Sequence, residues 1–374
     1  MRYLFIIQGE GRGHLTQAMT LERLLCGAGH EVVAMLVGKS PSRELPAFFL
    51  DGVSAPVERF ESVNFVPSGD NRKPDIAKTG LYNFLNLSAY LPSIRFIMKR
   101  LKALRPDVVV NFYDILGANA YHLSRLDAPL VCIGHQFLFT HSSFEFPTFG
   151  YEGHLALNMF SDMISLRSAK VLALSFRNMP SSGRLHVVPP LLRPSVLALS
   201  PAPSPATEPV EGPYIHGYLL NAGFASDIRH WHSVHPKVPL HFFWDRPDET
   251  LDATLSFHAL DDAAFISGLA SCSAYASTAG FESICEAMYL QKPLLMVPSH
   301  IEQKCNAFDA TNYGRPPGRA GNGEDGLPRP ACTSDHFDLD LLMDFAANRY
   351  IPDPDFQGWV RSAGDIFLRE LTEF

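Results

Sequence analysis

An apolar run, a tight turn, a helical pattern and a second apolar run follow one another within residues 273–298, and this segment constrains the fold more than any other. Ser277-Thr278-Ala279-Gly280 closes the first run with hydroxyls and a glycine, Phe281 to Ala287 continues with helical spacing, and Pro293 to Pro298 is apolar again. Two strands joined through a helix lie parallel in one sheet. A helix that starts behind such a turn presents unpaired backbone N–H groups and a partial positive charge, which suits a phosphate. Glu286 lies six residues past Gly280, nearly two turns into the helix. A carboxylate there can accept hydrogen bonds from a ribose diol. The same residues also describe an ordinary strand–turn–helix unit with an exposed glutamate.

The rhythm recurs along the chain. Strands are expected at residues 3–8, 31–37, 107–112, 129–134, 171–175 and 185–188, with helices at 16–28, 81–104 (kinked or split at Pro92) and 115–126. Pro201, Pro203, Pro205, Pro209 and Pro213 then form an extended linker. Beyond it strands are expected at 214–218, 239–244, 273–277 and 293–297, and helices at 222–232, 262–272, 281–289, 303–312 and 355–373. The expected fold class is α/β, with two Rossmann-like parallel-sheet domains facing a cleft. Residues 1–198 form the first domain, 199–213 the linker and 214–354 the second domain. The C-terminal helix, 355–374, is placed to pack back on the first domain. Residues 314–330, rich in glycine, proline and arginine, read as a loop. Ligands in such sheets bind at the carboxyl ends of the strands, so loops from both halves should face one site.

Composition narrows the function. At 374 residues the chain exceeds one hydrophobic core. Its net charge is −8 with scattered lysines and arginines, against a duplex nucleic-acid binder. The apolar start, Tyr3 to Ile7, is too short for a signal-peptide core. The six cysteines include no CxxC pair, which suits a reduced, cytoplasmic setting. Met98-Lys99-Arg100-Leu101-Lys102 and Arg105 give one helix a basic end, consistent with a solvated terminus or at most peripheral membrane contact.

Gln8-Gly9-Glu10-Gly11-Arg12-Gly13-His14 follows the first strand and opens a helix. The glycines are spaced G-x-G-x-G rather than G-x-G-x-x-G, and strand two ends in Val37-Gly38-Lys39 without an acidic residue, so a dinucleotide cofactor is disfavoured. What remains is a glycine turn that brings His14 to the mouth of the sheet, either as a general base or as a helix-terminal residue satisfying backbone groups. Asp114 and His135 also follow strand ends and can activate an acceptor hydroxyl. Asp114 can equally cap the next helix. Asp338-Leu339-Asp340 matches a metal-binding DxD pattern but precedes a helical run, where capping is the simpler reading. His230, His232 and His235 lack partners in register for zinc. No metal site and no cofactor are expected.

Gly-Arg-Gly-His-Leu-Thr-Gln early, with Gly-Phe-Glu-Ser-Ile-Cys-Glu-Ala, Lys-Pro-Leu-Leu-Met-Val-Pro and Glu-Gln-Lys-Cys-Asn-Ala late, resembles the GT-B glycosyltransferases. The nearest branch contains the peptidoglycan N-acetylglucosaminyl transferase and the galactolipid synthases. The resemblance implies an acceptor on the N-terminal half and a nucleotide-sugar donor, UDP-linked, on the C-terminal half. Carried over by position, Thr278, Ala279 and Gly280 would meet the diphosphate, and Glu286 the ribose. Glu302 and Gln303 would meet the sugar, with Asn306 supporting that helix, and Leu260 the base. Gly11, Arg12 and Gly13 would form the acceptor or phosphate loop, with His14 at the reacting centre. Two departures stand out. The loop at His216-Gly217-Tyr218 is poor in glycine, and Glu10 and Arg12 replace smaller residues of the peptidoglycan enzymes. The implied reaction is inverting, metal-independent transfer to a glycan, lipid or small-molecule hydroxyl. An epimerase or hydrolase on the same fold, or an inactive sugar-nucleotide or glycan-binding protein, stays open.

Overall fold

A computed structural model describes residues 1–40, 44–63, 87–147, 151–199, 214–312 and 327–374. Most of the proline-rich linker and of the 314–330 loop lies outside the described residues, as do residues 81–86 of the expected long helix.

Two seven-stranded sheets organise the chain. The first comprises β1 (Arg2–Gln8), β2 (Glu31–Gly38), β3 (Val57–Phe60), β4 (Val108–Phe112), β5 (Leu130–Gly134), β6 (Lys170–Leu174) and β7 (Leu185–Val188). Its order is β3-β2-β1-β4-β5-β6-β7, and every pair is parallel. The second comprises β8 (Ile215–Tyr218), β9 (Leu240–Trp244), β10 (Glu249–Thr250), β11 (Leu255–Ala259), β12 (Ala274–Ser277), β13 (Leu294–Met296) and β14 (Ala331–Thr333). Its order is β10-β11-β9-β8-β12-β13-β14, parallel except for the β10 edge. Helices on both faces explain why β4, β5 and β12 are buried at every position. The α/β class expected from the sequence is the class observed.

The strand order reverses between β1 and β4 in the first sheet and between β8 and β12 in the second, and ligands bind at such switch points. β1 ends at the glycine turn, β4 just before Asp114, and β12 at Thr278-Ala279-Gly280. The close approaches there need glycine. A Cβ on Gly9 would stand 2.6 Å from Val37 Cγ1, and one on Gly217 would overlap the Phe242 ring.

Several elements differ from expectation. Pro92 neither kinks nor splits a helix but opens one, Leu91–Leu104, after a 3₁₀ turn at Leu87–Tyr90. A first-turn proline forfeits only an N–H that has no intrahelical partner. β3, β11, β14 and the Tyr151–Ser165 helix were not expected. The strands are short, and the helix exposes Leu155, Met159 and Met163, which blurs its apolar periodicity. At the C-terminus, Ala363–Thr372 packs on the first sheet. Tyr3 Oη donates to the Leu371 carbonyl at 2.9 Å and Lys170 Nζ lies 3.1 Å from the Glu370 carboxylate. Trp359 donates to the Ser175 carbonyl and Gln357 to that of Tyr289, so this last segment ties both halves together.

Candidate functional site

The turn after β12 is built from a strained residue and a helix start. Ala279 has φ +57° and is fully buried, a left-handed conformation that costs a non-glycine residue energy. It bends the chain so that Gly280 caps the Phe281–Tyr289 helix without a side-chain hydrogen bond. Asn306 Nδ2 donates to the Ala279 carbonyl at 3.1 Å and holds the turn from the Ile301–Thr311 helix. Tyr113, after β4, has φ +58°, so each sheet carries a left-handed residue at a switch-point strand end.

Three buried polar atoms of this segment have no hydrogen-bond partner: Thr278 Oγ1, Glu282 Oε2 and Glu286 Oε2. Such atoms are rare in native proteins and call for an explanation. Glu286 is fully buried rather than exposed, and its Oε1 accepts from Arg193 Nε at 2.6 Å. Arg193 also pairs with Asp262. Burial pushes the Glu286 carboxyl upward against the pull of Arg193. Burial would lower the Arg193 guanidinium, but the two carboxylates outweigh it and hold its pKa up. Leu260 is half-buried on the turn after β11, where Asp261 caps the next helix by accepting from Ala264 N at 2.7 Å.

The N-terminal half meets this segment directly. Lys39, at the end of β2, donates to the Gly9 carbonyl at 3.0 Å and steadies the glycine turn. Gly11 is exposed with open space around it, and the Arg12 guanidinium lies over the Phe48 ring at 5.2 Å. Burial lowers the Arg12 pKa, and Tyr218, Asp262 and Arg193 are its electrostatic neighbours. Gly13 opens the Gly13–Gly27 helix, and a Cβ there would stand 3.1 Å from Glu282 Cγ. His14 stacks on Tyr113 with ring centres 6.1 Å apart, and its Nδ1 lies 3.4 Å from Gln17 Oε1. Gln17 Nε2 in turn donates to Glu282 Oε1 at 2.5 Å. Burial pushes His14 down to about 4 and Glu282 up to about 8. Burial thus favours the uncharged form of the His14 imidazole.

The other candidates have structural partners. Asp114 caps the Ile115–Ser124 helix, accepting from Gly117 N at 2.7 Å, and its second oxygen accepts from Ser62 Oγ at 2.8 Å. Both carboxylate oxygens of Asp114 are thus engaged within the protein. His135 sits in a 3₁₀ turn after β5, its Nδ1 2.7 Å from the Leu174 carbonyl, and it stacks on Phe281 at 3.9 Å. It is 2% exposed, and burial pushes it down to about 4, so it joins the two halves as an interfacial ring. Glu302 accepts from Gln136 at 3.1 Å, and burial raises it to about 7. The Gln303 carbonyl oxygen accepts from Ser299 N and Oγ at 2.8 and 2.7 Å. Asp338 caps a helix and Asp340 lies 3.5 Å from His235, while His232 pairs with Asp252 at 2.8 Å. Among the described residues no group of three or more His, Cys, Asp or Glu side chains is arranged to hold a metal.

Gln17, Arg193 and Glu282 were not singled out from the sequence. Glu282 stands inside the motif, between Gly280 and Glu286, and no periodicity marks it. Arg193 carries only the signal of a charge among apolar residues just before the linker.

The fold is similar to that of several solved glycosyltransferases. The glycotransferase of kitacinnamycin superposes with a TM-score of 0.61 at 15% identity, covering 99% of this chain and 98% of that one. Medicago truncatula UGT71G1 complexed with UDP-glucose gives 0.59 at 12% identity, over 100% and 95%. Acinetobacter baumannii MurG gives 0.53 at 15% identity, over 99% and 100%. No match was found among curated protein sequences. Residues 1–318 match the sequence profile of glycosyl transferase family 1, and with both halves built as GT-B sheets the chain belongs to that family of glycosyltransferases.

Proposed function

We propose that the protein transfers a sugar from a UDP-linked donor to a hydroxyl-bearing acceptor, with inversion at the anomeric carbon. The observation that carries this reading is the pair of unpartnered buried atoms Thr278 Oγ1 and Glu286 Oε2, on the segment whose Glu282 meets Gly13 and Gln17 of the other half. The backbone N–H groups after Gly280 and the Thr278 hydroxyl suit a diphosphate. Glu286 Oε2, the oxygen Arg193 leaves free, suits a ribose hydroxyl. Leu260 lies toward the base, and Glu302 and the Gln303 amide toward the sugar. Arg12 brings a positive charge from the other half, suited to a phosphate. His14 takes the proton of the acceptor hydroxyl as its oxygen attacks the anomeric carbon. The bond to the diphosphate breaks, and the helix start stabilises the charge that develops on the departing group. The UDP-glucose complex of the plant fold relative supports the choice of nucleotide. No cofactor or metal is needed, because the leaving group is already activated.

A cavity of about 60 Å³ lies beside Arg193 and Asp262, lined also by Thr16, Thr20 and Phe48.

A thermal-shift panel of nucleoside diphosphates and their sugars tests this, since a ligand raises apparent stability by mass action. UDP or a UDP-sugar should give the largest shift, and the shift should persist in EDTA. No shift with any UDP ligand, or one that depends on added manganese or magnesium, counts against the reading.

A further inference from the structure

We propose that Gln17 and Glu282 are positioning residues that set the tautomer of His14 across the interface between the two halves. The proposal rests on the reading of His14 as the base. Gln17 follows His14 by three residues, so the two side chains share one helix face. Its amide has one accepting end and one donating end. Glu282 Oε1, 2.5 Å from Gln17 Nε2, accepts, so the amide nitrogen must face Glu282. The amide oxygen is then the end that faces His14 Nδ1, 3.4 Å away. An oxygen can only accept, so the imidazole proton belongs on Nδ1, and Nε2 keeps the lone pair a base needs. Without Glu282 the amide can turn over, and the opposite tautomer becomes equally available.

Burial strengthens the arrangement. Gln17 is 3% exposed, and a hydrogen bond shielded from water is electrostatically stronger than an exposed one. Gly13 allows the approach, because a Cβ there would press on Glu282 Cγ. Burial, with a further push from Glu286 and a counter-pull from Arg193 and the Gln17 bond, raises the Glu282 pKa to about 8. The neutral acid still serves. With its proton on Oε2, the oxygen without a protein partner, the acid still offers Oε1 to Gln17, as the carboxylate does. Glu282 lies on the Phe281–Tyr289 helix of the second half and Gln17 on the Gly13–Gly27 helix of the first, 265 residues apart. The base is therefore oriented only when the halves are together. During transfer the acceptor proton moves to His14 Nε2, and the Nδ1–H of the resulting imidazolium keeps its bond to Gln17.

Long-range ¹H–¹⁵N correlation of the histidine rings in the intact, uniformly labelled protein tests this, with His14→Gln assigning the signal. Wild type should show the Nδ1–H form of His14. Gln17→Ala and Glu282→Ala should give a mixture with the Nε2–H form, while Glu282→Gln, which retains an accepting oxygen, should mix less. UDP affinity by calorimetry should change little. Turnover of a UDP-sugar that binds should fall by about 10–100-fold, the cost seen when a group that orients a metal-ligating histidine is removed. Gln17→Met, close in length, replaces Gln17→Ala if that variant does not fold. An unchanged tautomer in any folded variant at position 17, or a loss of UDP affinity with the tautomer intact, overturns the proposal. The tautomer is read without substrate, so the two readings fail separately. Normal turnover in His14→Ala removes the base assignment even if the tautomer responds as expected.

Discussion

A carboxylate with no exposed surface must be paired, and at Glu286 the partner is Arg193, which comes from the connector after the first sheet. One oxygen is thus engaged within the protein, and the other is what a ribose can use. Glu286→Ala should weaken UDP binding by roughly 1–3 kcal/mol, the range for a hydrogen bond to a charged group. Unchanged calorimetric affinity in the folded variant removes the ribose assignment. At His14 the expected effect falls on the rate. A general base contributes about 10²–10⁴-fold, so His14→Ala should slow the chemical step by that factor in single-turnover measurements and leave UDP binding nearly intact. A fall in donor affinity of similar size would instead place His14 on the donor. Asp114 was legible as a strand-end carboxylate and as a cap of the next helix, and the cap is observed, whereas its Ser62 bond depends on a distant loop. The sequence named the residue and left that distant partner open.

Strands and helices are set by local pattern, and here that pattern was largely sufficient. The buried runs of β1, β2, β4 and β5 stand near their expected positions because both faces of a parallel sheet are covered, leaving uninterrupted apolar stretches. The three-residue strands β13 and β14 contrast. β13 was found from its apolar flanks, whereas Ala331-Cys332-Thr333 carries no such signal and becomes a strand by pairing with β13. Glycine positions inside elements were readable as glycines but not as contacts. Gly217 lies in β8 because the Phe242 ring of β9 occupies the space of a side chain. Gly217→Ala should therefore destabilise the protein by about 1–3 kcal/mol, the usual cost of overpacking a core. Denaturant unfolding reads the change directly, and a stability within a few tenths of wild type would mean that the ring has room to move.

Across the whole molecule the halves are joined by polar and charged ties: Gln17 to Glu282, Gln136 to Glu302 and Arg177 to Asp309. The titration of Glu282 gives this interface a pH dependence of defined sign. Its folded pKa, about 8, is raised above the ordinary carboxylate value of 4.5, chiefly by burial. Below pH 4.5 the group is protonated in both folded and unfolded chains. Between 4.5 and about 8 only the folded protein retains the proton, so its contribution to stability declines as pH rises and is lost above about 8. Glu282→Gln cannot lose a proton. Its melting temperature relative to wild type should therefore climb between pH 5 and pH 9, and a difference that stays flat across that range would place Glu282 in a more solvated setting than the structure gives it.

The sequence by itself determined most of the strands and helices, the parallel sheets, the two glycine-containing turns at strand ends and the residue types that occupy them. Those properties follow from hydrophobic period, turn chemistry and burial, each of which acts over a few neighbouring residues. Only the tertiary structure decided which of those residues meet. Glu286 faces Arg193 across 93 positions, Gln136 faces Glu302 across 166, and His14 is tied through Gln17 to Glu282. Pairings of that kind leave no periodic trace, because they depend on how two sheets are set against each other, and a hydrogen bond between distant segments places no constraint on the residues beside it in the chain.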